Sequence, residues 1–241
     1  MYLSLSNILA APFRKTPATE SRVNIVDEVD YTYIKGNIES RGPCPGLNAL
    51  ANHGYIARDG KNITVAQVDA ALKTALHMSP LAAKSLTGAL KGLLRKDGTF
   101  DLVDTRRHNV IEHDSSFTRL DFHQGDNYTF QPQMLEDMIK DANGGDVTLR
   151  SMAKTFIRRG KESREAGAPK LPLNLWFVRV LQYVGLINSA QTGGKLNREI
   201  LEAVFVEERF PDVILDNPKP RTVLTLLSNA LGMMYWVVVG P

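Results

Sequence analysis

Apolar positions recur every three to four residues along most of this chain, and glycine and proline punctuate them. Thr64 followed by Gln67 has the form of a capping box. Val65, Val68, Ala71, Leu72 and Ala75 then share a face, which predicts a helix over Thr64 to Leu76. Pro80 to Leu94, rich in alanine and leucine, predicts a second helix, and Gly98 breaks the chain after it. Arg107 to Phe122 also reads as helical, with Val110, Ile111 and Phe117 on the apolar side. Met134, Leu135, Met138 and Ile139 predict a helix over Pro132 to Ala142, stopped by Gly144-Gly145. Leu149, Met152, Ala153, Phe156 and Ile157 predict a longer amphipathic helix over Thr148 to Glu165. After a proline-bearing break at Pro169 to Pro172, Leu173 to Ile187 is strongly apolar and predicts a core helix. Gly193-Gly194 ends that region, and Asn197 is placed to cap Arg198 to Glu207. Val223 to Val239 carries no charge and has about the minimum length that spans a bilayer. Ser228, Asn229 and Gly232 interrupt it, so a buried last helix or an interfacial segment is favoured over a membrane anchor. Tyr31 to Lys35 gives a weak strand signal, and no repeat is visible. The expectation is an all-α fold in one compact domain over residues 1–241.

Composition changes little in this picture. With 241 residues, 43% hydrophobic and 23% charged, the chain can bury a sizeable core without disulfides or metals as staples. A formal net charge of +3 gives no argument for nucleic acid. Arg106-Arg107 and Arg158-Arg159-Gly160-Lys161 read as solvated helix faces rather than phosphate-binding patches. Met1 to Phe13 is mildly apolar but lacks the basic start and long apolar stretch of a secretory signal. The sequons Asn62-Ile63-Thr64 and Asn127-Tyr128-Thr129 matter only in a secreted chain, and each alone reads as chance.

The single cysteine is more informative. Cys44 can form no disulfide within the chain and cannot belong to a Cys-rich zinc or iron–sulfur site. Three readings remain: an inert buried thiol, a nucleophile, or one thiolate ligand to a metal. Pro43 and Pro45 fix φ on both sides and remove backbone donors, so Cys44 sits on a stiff turn. Pro45 can open a helix through Leu47, Leu50 and Ala51. The sulfur then faces the free N–H groups of Gly46 and Leu47, which stabilise a thiolate.

A second cluster follows well downstream. Glu112, Asp114 and Ser116 offer hard oxygen ligands within one and a half helical turns, and such ligands select Mg²⁺, Ca²⁺ or Mn²⁺. His113, between the carboxylates, suits a proton shuttle or an ordinary hydrogen-bonded position. Taken alone, a solvated charged stretch explains the cluster better.

The two clusters in this order resemble the fungal heme-thiolate peroxidases, the family of chloroperoxidase and the short unspecific peroxygenases. The resemblance lies in Pro43-Cys44-Pro45, in Leu47-Asn48-Ala49-Leu50-Ala51-Asn52-His53-Gly54, and in Glu112-His113-Asp114-Ser115-Ser116. It extends through Ile56 to Gly60 and through Arg119-Leu120-Asp121 to Asn127, and it is diffuse outside residues 40–130. It implies a helical domain enclosing haem b, with Cys44 as axial thiolate in a turn formed by Pro43, Pro45, Gly46 and Leu47. It implies a Mg²⁺ ion held beside a haem propionate by Glu112, Asp114 and Ser116, with the His113 backbone carbonyl as a further ligand. The His113 side chain is implied on the distal side as the catalytic base. The implied reaction uses hydrogen peroxide to hydroxylate, epoxidise or one-electron oxidise a small organic substrate. Secretion is implied as well, although no clear signal peptide is visible. No nucleic-acid partner is implied. Membrane association through the C-terminal segment, and oligomerisation, stay open.

One departure stands against the resemblance. The family carries a distal glutamate in the helix after the proline-bearing break, and Leu175 to Ala190 contains no acid. Position suggests a site within two residues of Val184, while Glu162, Glu165 and Glu199 are the acids that could replace it. Two other functions therefore compete: a specialised biosynthetic oxidase working without that glutamate, and a non-catalytic, membrane-associated haem-binding protein.

Overall fold

Local capping explains where most elements of this fold begin. The computed structural model describes residues 30–241. The expectation for Met1 to Phe13 therefore lies outside the described residues. Helix α1 (Pro45–Asn52) starts at the Pro-Cys-Pro turn, where Pro45 has no N–H to lose and a φ already set for a helix. A two-residue ladder, β1 (Ile63–Thr64) with β2 (Thr99–Phe100), sets Ile63 opposite Phe100. Thr64 ends β1 and also caps α2 (Val65–Leu76) through the expected box: Gln67 N donates to its Oγ1 at 3.2 Å, and Gln67 Oε1 accepts from Thr64 N at 2.8 Å. The device is repeated downstream. There β3 (Val147–Thr148) pairs with β4 (Lys195–Leu196), and Thr148 caps α5 (Leu149–Glu165), numbered after α3 (Pro80–Thr87) and α4 (Pro132–Asp141). Helices α2 and α5 are thus each pinned at their first residue by a distant strand.

The remaining helices are α6 (Leu173–Ala190), α7 (Arg198–Phe205), the single turn α8 (Asp212–Leu215) and α9 (Val223–Val239). Asn197 caps α7 as expected, accepting from Ile200 N at 2.9 Å. Leu50, Ile63, Phe100, Val147, Val184, Ile214 and Met233 are wholly buried and tie these elements into one core.

Several expectations need correction. The second predicted helix is α-helical only to Thr87 and tightens to a 3-10 run over Gly88–Leu93, where two glycines weaken the helix. Tyr31 to Lys35 is extended but pairs as no strand; Ile34 N donates to Asn52 O at 2.8 Å and Tyr33 Oη to Glu207 O at 2.6 Å. Arg107 to Phe122 is not a helix: Asn109 (φ 62°) and Ser115 (φ 65°) turn the backbone left-handed, and distant side chains take its carbonyls. Arg159 is buried rather than solvated, 3.6 Å from Asp121 and 2.7 Å from Glu162. The Asn127 sequon is buried, with its amide donating to Arg106 O at 3.0 Å. Helix α9 lies against α5 and α6 through Val223, Ala230 and Met233. Among the described residues no helix is long and apolar enough to cross a membrane.

Candidate functional site

Cys44 opens onto a cavity of about 340 Å³ with largely apolar walls from α1, α2, α3, α6 and α9. Pro43, Pro45, Gly46 and Leu47 line it beside the sulfur, as does Ser116. Cys44 is the residue just before α1, so Gly46 and Leu47 direct their backbone N–H groups at its sulfur. Burial pushes the thiol up; those two hydrogen bonds and the Arg119 guanidinium pull it back. Its partial exposure is exposure to the cavity, so the thiol is desolvated all the same.

The asparagines and histidine that follow explain why the turn is rigid. Asn48 grips Gly42 from both sides, accepting from its N at 3.1 Å and donating to its O at 2.7 Å. Gly42 tolerates no side chain: a Cβ there would lie 1.9 Å from Thr105 Oγ1 and 2.6 Å from Leu102 O. Asn48 Nδ2 also donates to Glu208 Oε1 at 2.7 Å, Asn52 Nδ2 to Glu208 O at 3.0 Å, and Phe210 N donates to His53 Nε2 at 3.3 Å. Two side chains of α1 and the residue that caps its end thus clamp the loop after α7. Glu208 is held in the left-handed region (φ 54°), buried, 3.4 Å from Arg119 Nη2. Burial raises its pKa, and Asn48 and Arg119 oppose the rise.

Glu112 and Asp114 come together on the irregular loop, not on a helix. His108, which sequence reasoning did not single out, lies between them: its Nδ1 is 2.9 Å from Glu112 Oε2 and its Nε2 is 3.8 Å from Asp114 Oδ2. Its ring stacks on Phe122 at 4.4 Å. Ligand atoms of His108, Glu112 and Asp114 all fall within 4.8 Å of one another. Burial pushes Glu112 up, and Glu112 Oε1 has no partner among the described residues. Ser116 Oγ donates to the His113 carbonyl at 3.0 Å, which leaves its own lone pairs free.

His113 is buried and faces the cavity. Its Nδ1 stands 2.8 Å from Asp114 O, so this nitrogen carries the proton and Nε2 keeps a lone pair. Burial drives its pKa down; the Asp114 carbonyl and the Gln182 amide oppose the drop, and nearby Arg179 adds to it. The loop is fixed by α6: Tyr183 Oη donates to Ser115 O at 2.8 Å and Arg179 Nε to the same oxygen at 3.3 Å. From α5, Arg159 Nε donates to Ser116 O at 2.9 Å.

Val178, Leu181, Gln182, Gly185, Leu186 and Ser189 bring one side of α6 to the cavity. Val184 is wholly buried in the core and does not line it, so position 184 is not where an acid would reach His113. Gln182 also meets the His113 loop from α6, donating to Ile111 O at 2.9 Å. The other acids considered are elsewhere: Glu162 is bound by Arg158 and Arg159, Glu165 pairs with Lys161, and Glu199 lines a separate polar hollow. Among the described residues, Glu112 is the only carboxylate lining the cavity.

The cavity suits a flat apolar group with a charged rim. Glu112 Oε1, His113 Nε2 and Arg119 Nε are buried without partners, and all three residues line the same space as Cys44. A thiol at a helix start, an imidazole, a guanidinium and a carboxylate around apolar walls form a donor set fit for an iron porphyrin and its propionates. Comparison with known proteins agrees. A family model described as "Peroxidase, family 2" matches residues 30–221. The aromatic peroxygenase of Coprinellus radians is 33% identical over 151 residues, 54% of this chain and 58% of that protein. The aromatic peroxygenase of Cyclocybe aegerita is 26% identical over 220 residues, 76% of this chain and 56% of that protein. The chloroperoxidase of Leptoxyphium fumago is 35% identical over 147 residues, 53% of this chain and 38% of that protein. The chain thus spans little more than half the length of the peroxygenases it matches, and less of the chloroperoxidase. The match covers the Cys44 turn, the His113 loop and α6 alike, and on that extent this chain belongs to peroxidase family 2.

Proposed function

We propose that this chain is a haem-thiolate peroxidase or peroxygenase that uses hydrogen peroxide to oxidise a small, mainly apolar organic substrate. The observation that carries this reading is that Cys44 and an unpartnered, proton-accepting His113 Nε2 open onto one apolar cavity. Haem b, when bound, supplies peroxide O–O cleavage and the oxidation itself, and a thiolate ligand favours both. The protein's own residues supply the rest. Cys44 would hold the iron, and the Gly46 and Leu47 amides favour its thiolate form. His113 Nε2 takes a proton from hydrogen peroxide and can return it, because its Nδ1–H is committed to Asp114 O. Glu112 and Asp114, which converge, would hold Mg²⁺ with Ser116 and the His113 carbonyl, and the dication would offset the charge of a haem propionate. The apolar walls exclude water and accept hydrocarbon surface.

A narrower reading, a dedicated biosynthetic oxidase with slow peroxide chemistry, is favoured by one observation. An amide, Gln182, stands on α6 where an acid could relay a proton to His113. The test of the main reading is the absorption spectrum of the haem-loaded, reduced carbon monoxide complex. The parent should show the red-shifted band of a thiolate ligand, and Cys44→Ala should lose it. A parent without that band, or a variant that keeps it, overturns the reading.

A further inference from the structure

Several polar side chains that line the cavity are spent on nearby backbone. Ser85 Oγ donates to Leu81 O at 2.8 Å, Thr87 Oγ1 to Ala83 O at 3.0 Å and Ser116 Oγ to His113 O at 3.0 Å. Thr222 Oγ1 accepts from Thr225 N at 3.1 Å as the cap of α9. Asn188 is different. It is 4% exposed, it lines the cavity, and its Oδ1 has no partner among the described residues.

A buried amide oxygen without a partner destabilises the fold and serves no packing purpose that leucine would not serve better. Glu112, His113 and Arg119, the other cavity residues with unpartnered buried atoms, belong to the thiolate, cation and proton groups described above. Asn188 belongs to none of them. It lies six residues after Gln182, about 9 Å further along α6 at 1.5 Å per residue. Arg221 Nε donates to Ser189 O at 2.9 Å, which brings the start of α9 to this end of the helix. Val223 and Leu226 of α9 add apolar lining to the cavity. An apolar molecule whose reacting end lay near His113 would have its far end beside Asn188.

We infer that Asn188 is a specificity-determining residue that hydrogen-bonds a hydroxyl group at the far end of an otherwise apolar substrate. A hydroxyl both donates and accepts, so it satisfies either end of the amide. The inference rests on the peroxidase reading of this cavity, and the experiment separates the two. Naphthalene and 2-naphthol, which differ by one hydroxyl, are titrated into haem-loaded protein, and binding is followed by the haem absorption shift. The parent should bind 2-naphthol about tenfold more tightly than naphthalene, the worth of one hydrogen bond. Asn188→Leu, close in volume, should erase that preference while naphthalene binds as well or better. Asn188→Ala gives the same comparison if the leucine variant fails to load haem. Equal affinity for the two probes in the parent overturns the inference, as does a variant that loses both by the same factor. Absence of the thiolate band in the parent overturns the peroxidase reading instead.

Discussion

Replacing Asn52 by alanine should cost more than its small size suggests. Asn52 Oδ1 accepts from Arg41 Nη2 at 2.7 Å, Arg41 Nε at 3.0 Å and Gly36 N at 3.0 Å. Arg41 is 1% exposed, so water cannot replace a lost partner. Each hydrogen bond to a charged group is worth about 1.5–3 kcal/mol, and two of these three are of that kind. Arg41 keeps Ser40 O at 3.1 Å, Ser40 Oγ at 3.0 Å and Arg58 O at 2.9 Å, so the guanidinium is not stranded outright. The net cost should be about 3–5 kcal/mol, the range for breaking a buried charged contact. For a domain of this size that is a fall in Tm of about 10 °C. Asn52→Asp keeps the acceptors facing Arg41 and loses only the donor to Glu208 O, so it should recover most of the loss. Urea and thermal unfolding by circular dichroism, without haem, would measure both. A loss below about 1 kcal/mol in the alanine variant would refute the claim that this amide holds the buried arginine.

The remaining predictions concern the cavity. His113→Ala should lower kcat/KM for hydrogen peroxide by about 10²–10⁴-fold while haem is retained. Burial holds the His113 pKa below its ordinary 6.5, so the neutral base persists below that pH. Activity should therefore fall only as pH drops through the depressed value, and a decline centred at or above 6.5 in the pH–rate profile would contradict it. Glu112→Gln should leave less than one dication per haem by metal analysis, because it removes a carboxylate from the His108–Glu112–Asp114 set; a parent with full haem and no dication would refute the site. Gln182→Glu should raise the rate of peroxide consumption, whereas Val184→Glu should lower Tm without that gain, since Val184 is wholly buried and off the cavity; the reverse pattern would sink the assignment.

Elements governed by local chemistry could be read in the sequence. The Thr64–Gln67 box and Asn197 before α7 satisfy backbone groups within four residues of themselves, and Pro45 at the start of α1 removes an N–H that would have no partner. Arg107 to Phe122 could not be read that way, because its geometry is set from outside. Its apolar residues mimic a helical period, while Tyr183, Arg179 and Arg159 from two other helices take the Ser115 and Ser116 carbonyls. Cys44, Glu112, Asp114 and His113 are singled out together by the resemblance of their two motifs to one family, since the second cluster alone reads as a solvated stretch, and they converge on or beside one cavity. Glu208 stayed hidden because a Glu-Glu-Arg run reads as surface and its partners Asn48 and Arg119 lie far away in the chain. A usable signal was present: Asn48 and Asn52, at i and i+4 on a helix of alanines and leucines, are amides on a face that should be apolar.

Helix α6 shows why an apolar helix can hide its function. Its residues are hydrophobic on every side, so periodicity does not reveal which side faces the site, and Val184 and Gln182 look equally placed. The polar exceptions settle the orientation. Arg179 and Tyr183, four apart, both reach Ser115 O, so that edge of the helix holds the loop bearing Glu112 and His113. Gln182 bonds Ile111 O in the same loop, and Asn188 lines the cavity about 9 Å further along the helix. Every one of these side chains costs free energy in an apolar helix unless it has a partner. Arg179, Tyr183 and Gln182 find theirs in the backbone of the His113 loop, which fixes His113 relative to the Cys44 turn. Asn188 finds none there, and the same accounting that ties the first three to the loop directs the fourth to whatever enters the cavity.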